Sequence, residues 1–282
     1  MNKEYRSELL LLLTAFIWGG AFVAQSVGTD LIGPWTFTCL RNVLAVIALY
    51  PVVQFFSKKE EKKRGTWKAG ILAGILLFSA SILQQTGIHY TTAGKAGFIT
   101  ALYIVIVPLF ASFLGQKITR KMWIAILIAL FGFYLLSMSE SFSISKGDFL
   151  IFLCAIIFAL HILTIDHFQN VNHVKMAWVQ FLTCAILGFL PMLLFEKPTV
   201  GMILNAKYPL LYAGLLSSAI GYTLQIIGQK DADPTRATLI MSLESVFAFI
   251  LGALYLHEVI SLRGFIGCVL ILIGVILVQI KK

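Results

Sequence analysis

The residues of this chain that could do chemistry are the polar and ionisable side chains that lie inside long apolar segments. Glu244 lies about ten residues into an apolar segment that runs from 234 to 255. A charge at the centre of a bilayer costs about 2.5–3.5 kcal/mol on insertion scales, so something must offset it. Two interpretations stay open. The carboxylate binds a substrate ammonium group or a proton, or it is a structural acid, protonated or paired with an arginine, that joins two helices.

Four other apolar segments each carry a stripe of polar and aromatic side chains at helical spacing. The stripes are Thr14, Trp18, Phe22 and Gln25; Ser81, Gln84 and Gln85; Cys154, Phe158, His161 and Ile165; and Ser218, Tyr222 and Gln225. Such faces avoid lipid, so we expect them to surround one pocket; the alternative for each residue is a hydrogen bond between helices. The predicted substrate-binding residues are Trp18, Phe22, Gln25, Gln84, His161, Tyr222, Gln225 and Glu244.

Metal, cofactor and enzyme chemistry are not predicted. His161 has no second His, Cys or acid three or four residues later, and the four cysteines lie in apolar segments without metal-type spacing. They are interpreted as small buried hydrophobic residues. The chain also lacks the HExxH, GxSxG and P-loop motifs, so no catalytic residue is assigned.

Composition places these residues in a membrane protein. Of 282 residues, 59% are hydrophobic and 12% are charged, whereas soluble domains carry about a quarter charged residues. The apolar residues form ten runs, each close to the 20 or so residues that cross a bilayer. The runs lie near 8–27, 35–56, 67–88, 94–114, 121–138, 147–166, 175–195, 207–229, 234–255 and 262–280.

The distribution of basic residues predicts the orientation. With the N-terminus in the cytoplasm, 16 of the 22 Lys and Arg residues lie in inside loops and tails, and five lie in outside loops. Cytoplasmic loops retain Lys and Arg, so both termini are predicted to be cytoplasmic. This bias explains the net charge of +9 without a nucleic-acid partner. The remaining cation, Arg41, lies about six residues into the second segment, where snorkelling outward is favoured over binding a carboxylate.

The two halves of the chain resemble each other. The sequence ILQQTG at 82–87 matches TLQIIG at 223–228, and TAFIW at 14–18 matches CAIIF at 154–158. Both matches are separated by half the length of the chain, to within one position. Five segments per half is an odd number, so the second half must enter the membrane from the opposite side. The sequence therefore predicts an all-α integral membrane protein of ten transmembrane helices, built as two inverted five-helix repeats over 1–141 and 142–282. This architecture is typical of alternating-access transporters.

Several motifs resemble the EamA-type repeat of the drug/metabolite transporter superfamily. The C-terminal stretch from Leu243 to Val278 has Glu244 at the start of a span, Glu258 after that span and a glycine-spaced last helix. The first half contains AFIWGGAFV, then Leu40 and Arg41, then GKAGFITALYIVIVP. Gln116 replaces the expected loop acid of the first half. The resemblance implies a gradient-driven carrier of small organic solutes, often an exporter, with no bound cofactor.

We therefore predict a secondary transporter in the cell membrane that exports a small organic metabolite by alternating access. The aromatic and amide side chains favour an amino acid-like, amine or aromatic solute. The alternatives are a nucleotide-sugar or organic-anion carrier of the same fold, which needs several basic side chains, and a channel. Expected partners are the substrate, the lipid bilayer and a proton or other coupling ion, with a homodimer left open.

Overall fold

A computed structural model describes residues 3–57, 65–90, 93–137, 145–255 and 261–279, and every regular element within them is a helix. The α-helices are α1 (Lys3–Ile32), α2 (Pro34–Ser57), α3 (Thr66–Ile88), α4 (Ala93–Ala101), α5 (Tyr103–Phe113), α6 (Arg120–Ser137), α7 (Lys146–His167), α8 (His173–Pro191), α9 (Val200–Asn205), α10 (Lys207–Leu211), α11 (Thr223–Gln229), α12 (Pro234–Met241), α13 (Glu244–Tyr255) and α14 (Leu262–Gln279). Two π-helical segments, Met192–Glu196 and Tyr212–Tyr222, continue α8 and α10. The charged run Lys58–Arg64 and the loop acid Glu258 lie outside the described residues.

Seven helical stretches of the described chain are long and apolar enough to cross a membrane. They are Glu4–Ile32, Pro34–Phe55, Thr66–Ile88, Lys146–His167, His173–Glu196, Lys207–Gln229 and Pro234–Leu251. Ile99–Phe113 and Leu262–Val278 are shorter apolar helices. Large hydrophobic side chains such as Phe55, Phe113 and Ile186 are mostly exposed on these helices, which is expected where lipid replaces water around the protein.

Helices pack closely where one of them presents a glycine. A Cβ atom at Gly132 of α6 would lie 2.6 Å from the carbonyl oxygen of Gly267 in α14. Small residues let backbones approach in this way, and van der Waals packing then holds helices together in lipid. The α6–α14 pair extends a buried apolar cluster that includes Phe133 and Ile271.

One close helix contact occurs in both halves of the chain. We call two positions equivalent when half the chain length separates them, to within one position. Gly87 of α3 packs against Ile151 and Gly147 of α7. Its equivalent, Gly228 of α11, packs against Leu11 and Ser7 of α1, and the Ser7 hydroxyl donates to the Gly228 carbonyl. Leu11 is equivalent to Ile151 and Ser7 to Gly147, so the same set of positions meets twice.

The apolar segments predicted at 94–114 and 234–255 are each interrupted, which the sequence did not indicate. The helix α4 gives way to α5 at Leu102, where the Leu102 amide donates to the Ile99 carbonyl. The helix α12 gives way to α13 at Ser242, and the Leu243 amide donates to the Ile240 carbonyl. Both bonds are one residue shorter than the regular α-helical bond, and they join equivalent positions of the two halves. The Ser242 hydroxyl also bonds back to the Leu239 carbonyl, a contact that competes with regular helix bonding.

Candidate functional site

All eight side chains that the sequence predicts at the substrate site line one central cavity. The space not filled by atoms is about 530 Å³, counting the part that opens to the surroundings. The eight are Trp18, Phe22, Gln25, Gln84, His161, Tyr222, Gln225 and Glu244. Ala21, Arg41, Thr100, Tyr103, Phe158, Ile162, Ser217 and Met241 complete the lining. The helix breaks at Leu102 and Ser242 each lie between two lining residues, so both face this cavity.

Aromatic rings form one wall of the cavity around Tyr222. The Trp18 ring lies 4.5 Å from the Tyr222 ring, centroid to centroid, at an interplanar angle of 52°. The His161 ring meets Tyr222 edge-on at 6.1 Å, and Phe181 does so at 5.9 Å from behind. The Trp18 indole N–H donates to the Ser217 carbonyl over 3.3 Å, which fixes the ring. Such a wall suits stacking on an apolar or aromatic ligand, or a cation–π contact.

Glu244 is the first residue of α13, directly after the second helix break. Its side chain is buried and its Oε1 accepts a hydrogen bond from the Tyr103 hydroxyl over 3.2 Å. Tyr103 is the first residue of α5, directly after the first break. The partial positive charge at a helix N-terminus favours a carboxylate there. The two breaks are thus joined by one hydrogen bond, and among the described residues Glu244 has no arginine or lysine partner.

Arg41 lines the cavity, and the interpretation that it snorkels outward was wrong. The residue is 4% exposed. Its Nε donates to the Ser218 hydroxyl over 3.2 Å, and one terminal nitrogen donates to the Gln25 side-chain oxygen over 3.2 Å. Within the described part of the chain both partners are neutral, so the guanidinium has no counter-charge there. Gln25 and Ser218 both belong to predicted polar stripes, so Arg41 joins the polar surface that those stripes form.

Amide and imidazole groups supply further hydrogen-bonding capacity. The Gln84 amide donates to the Thr100 hydroxyl over 3.2 Å. His161 Nε2 lies 2.9 Å from the Gln180 side-chain oxygen, and its Nδ1 has no partner among the described residues. The Gln225 side-chain oxygen likewise has no partner in that part of the protein. Buried polar atoms normally find a partner, so unpartnered atoms beside a cavity are suited to a polar ligand.

Several stripe residues lie behind the cavity wall and bind other helices. Gln85 donates to the Thr29 hydroxyl and to the Gln25 carbonyl. The Thr14 hydroxyl bonds the Leu10 and Gly221 carbonyls. Ser81, Cys154 and Ile165 are buried but do not line the cavity, and Ser218 reaches it only through Arg41. These residues therefore bond or pack helices together, which was the alternative to lining the pocket.

Most of the cavity lining falls into pairs of equivalent positions, one from each half of the chain. The pairs are Trp18 and Phe158, Ala21 and His161, Phe22 and Ile162, Gln84 and Gln225, Thr100 and Met241, and Tyr103 and Glu244. The amide pair is preserved between the halves. The pairs that contain His161 and Glu244 are not, so the imidazole and the carboxylate of the site both belong to the second half.

No cluster of three or more His, Cys, Asp or Glu side chains suited to a metal occurs among the described residues. All four cysteines are free and buried, as the sequence predicts.

Comparison with known proteins identifies the family. The profile of the EamA-like transporter family matches the chain twice, at residues 6–138 and 145–280. A protein of Archaeoglobus fulgidus named an uncharacterized transporter is 30% identical over 99% of this chain and 87% of its own length. The uncharacterized transporter YoaV of Bacillus subtilis is 22% identical over 94% of both chains.

The fold is shared with a solved crystal structure that is 19% identical, with a TM-score of 0.83 over 97% of this chain and 96% of that one. A WAT1-related chloroplastic protein of Arabidopsis thaliana is 24% identical over 97% of this chain and 69% of its own length. The chain is a multi-pass membrane transporter whose partners are a small-molecule substrate and the lipid bilayer, and it belongs to the EamA-like transporter family.

Proposed function

We propose that this transporter is a secondary carrier of a small organic solute and that the central cavity is its substrate site. The main support is that two helix breaks, at equivalent positions, face one cavity. Both halves of the chain that match the family profile contribute lining residues to this cavity. Transporters commonly bind substrate near the midplane between interrupted helices of repeated halves. Alternating access then exposes the cavity to each side of the membrane in turn.

The proposed architecture is ten transmembrane helices in two inverted five-helix repeats, over 1–141 and 142–282. Three observations support it: the family profile matches twice, the breaks recur at equivalent positions, and the Gly87 and Gly228 contacts are equivalent. The packing of α3 on α7 then corresponds to the packing of α11 on α1.

Contacts between the ends of helices that are distant in sequence support the proposed sidedness. Arg236 and Glu4 form an ion pair of 2.8 Å, and both lie on the side that the charge distribution assigns to the cytoplasm. The Glu196 carboxylate accepts hydrogen bonds from the Trp35 and Thr36 amides over 3.0 and 2.7 Å, and all three lie on the side assigned to the outside. We propose that both termini are cytoplasmic and that the chain resides in the cell membrane.

Arg41 and Glu244 narrow the proposed solute to an amino acid-like compound. A buried guanidinium whose described partners are all neutral is suited to a substrate carboxylate, and the Glu244 carboxylate is suited to an ammonium group. The residue of α1 opposite the Glu244 carbonyl is Gly19, and the residue bonded to Arg41 is Gln25. These positions are about 9 Å apart along the helix. Because Arg41 and Glu244 line the same cavity, we propose that one solute with both charges contacts both side chains.

The other proposed site residues complete the binding of such a solute. Trp18, Phe22 and Tyr222 enclose its side chain, Gln84, Gln225 and His161 offer hydrogen bonds, and Gln25 orients Arg41. A nucleotide sugar fits less well, because its two phosphates need several cations and Arg41 is the one basic residue of the described lining apart from His161. Export remains the proposed direction on family resemblance, with Glu244 as the candidate site for a coupling proton.

Thermal melting of the purified chain with three matched compounds tests this proposal. L-Phenylalanine has both charged groups, phenethylamine lacks the carboxylate and 3-phenylpropionate lacks the ammonium. We expect the amino acid to bind about 10- to 100-fold more tightly than either analogue, because each missing group removes a charge-assisted hydrogen bond. A ligand that binds the folded state raises the melting temperature.

Arg41→Gln should remove the advantage of phenylalanine over phenethylamine and leave phenethylamine binding unchanged. The matched control is Arg236→Gln, which removes an arginine of the same charge outside the cavity. If the unaltered protein binds phenethylamine and phenylalanine equally, the proposed solute is an amine and not an amino acid. Stabilisation by a nucleotide sugar that disappears in Arg41→Gln would favour the organic-anion alternative.

A further inference from the structure

A second cavity is an open groove between α3, α5 and α7, separate from the substrate site. Its unfilled space is about 1080 Å³, counting the part open to the surroundings. Leu72, Phe110, Leu160 and Leu163 are among its apolar lining residues, and Lys68 and His167 also line it. We call it the α3–α5–α7 groove. It opens on the exposed faces of helices that cross the membrane, so lipid is the surrounding solvent.

The equivalent site, between α1, the segment 212–222 and α13, is filled by protein. There a Cβ atom at Gly20 would lie 2.2 Å from the Tyr212 hydroxyl and 3.5 Å from the Leu251 side chain. The Tyr212 hydroxyl also donates to the Ile17 carbonyl over 2.9 Å. The positions equivalent to Gly20, Tyr212 and Leu251 are Leu160, Leu72 and Phe110, three residues of the groove. The groove is therefore open at only one of two equivalent sites between the halves, because Leu72 replaces the tyrosine that closes the other site.

The two basic side chains lie together at one end of the groove. Lys68 is in the first turn of α3, and His167 is the last residue of α7. These ends are adjacent because α3 and α7 run antiparallel, with Gly87 near the end of α3 packed against Gly147 at the start of α7. The neighbouring acid, Asp166, does not line the groove, and its carboxylate accepts from the Gln169 and Gln116 amides. This end thus carries the basic side chains of the groove, and the other lining residues apart from Thr164 are apolar.

We infer that the α3–α5–α7 groove binds an anionic phospholipid. Its acyl chain lies along Leu72, Phe110 and Leu160, and its phosphate lies against Lys68 and His167. Basic pockets between transmembrane helices on the cytoplasmic side bind lipid head groups through this combination of charge and apolar surface. The proposed topology places this end on the cytoplasmic side, and the inference does not depend on which solute the central cavity carries.

Native mass spectrometry of the full chain tests the inference with phosphatidylglycerol and phosphatidylcholine of identical acyl chains. We expect the protein to retain phosphatidylglycerol preferentially. Leu72→Tyr introduces the residue that fills the corresponding site and should abolish retention. Lys68→Gln should weaken phosphatidylglycerol binding by about fivefold, and adding His167→Gln should weaken it further, while phosphatidylcholine binding stays unchanged.

Lys207→Gln is the matched control, because Lys207 lies at the corresponding end of the closed site and packs over the Tyr208 ring. It should not change lipid retention. Equal retention of the two lipids by the unaltered protein would overturn the inference, as would equal loss in Lys207→Gln. If Leu72→Tyr impairs folding, the Lys68 and His167 double variant tests the inference instead. We expect it to retain less phosphatidylglycerol relative to phosphatidylcholine than the unaltered protein does. An unchanged ratio of the two lipids would overturn the inference.

Discussion

The hydrogen bond between Tyr103 and Glu244 separates the two interpretations of the intramembrane acid. Tyr103→Phe removes the hydroxyl and keeps the ring, so the structural link between the helix breaks is lost while the carboxylate remains. A hydrogen bond to a charged group contributes about 1.5–3 kcal/mol, and we expect the free energy of unfolding to fall by that amount. Glu244→Gln keeps an acceptor for the same hydroxyl, so its cost should be the difference between the charged and the neutral bond, about 1 kcal/mol.

Transport should respond in the opposite order. Glu244→Gln removes the charge that we propose for the substrate ammonium, and an affinity loss of about 10- to 100-fold is expected. Tyr103→Phe leaves that charge in place and should retain most of the transport. The assay combines melting curves with uptake of labelled phenylalanine into proteoliposomes for the single variants and the double variant. Unchanged uptake by Glu244→Gln, together with a loss of stability equal to that of Tyr103→Phe, would make Glu244 a structural acid and refute this reasoning.

Three further predictions concern packing, helix capping and topology. Gly132→Ile should lower the melting temperature sharply, because its Cβ would lie 2.6 Å from the Gly267 carbonyl oxygen and α6 would have to move from α14; Gly201→Ile, whose Cβ meets nothing within 4 Å, is the control. Glu196→Ala should cost about 1–3 kcal/mol of stability in chemical unfolding, because two amides at the start of α2 lose their acceptor, whereas Glu196→Gln keeps one acceptor and should cost less. A cysteine introduced at Ser57 should react with an impermeant thiol reagent only after cell lysis, and labelling in intact cells would reverse the proposed orientation.

The positions of the apolar helices could be predicted from the sequence because a bilayer requires runs of about 20 apolar residues. The inward orientation of Trp18, Phe22 and Gln25 could also be predicted, because polar side chains at helical spacing must face protein instead of lipid. The breaks at Leu102 and Ser242 could not be predicted from the sequence, since neither point has the glycine or proline that usually signals an interruption. Each break is a local change to a hydrogen bond that spans one residue fewer than the α-helical bond, and an apolar sequence does not indicate where such a change occurs.

The error on Arg41 has a physical cause. Position along a span indicates how near a side chain is to the interface, but it does not give the direction in which the side chain points. Arg41 points inward because Gln25 and Ser218 accept its hydrogen bonds from two other helices. Tyr103 and Thr100 were not predicted for a related reason. They lie in an otherwise apolar motif, and the sequence does not show which face of α4 and α5 packs against the cavity.

Counterflow in proteoliposomes measures most directly whether the central cavity is the substrate site of a carrier. Vesicles loaded with unlabelled phenylalanine should accumulate labelled phenylalanine transiently above its external concentration, and the initial rate should saturate. Arg41→Gln and Trp18→Ala should each abolish this overshoot, and Arg236→Gln should preserve it. A flux that rises linearly with concentration without overshoot, or an overshoot that persists in both cavity variants, would contradict the account.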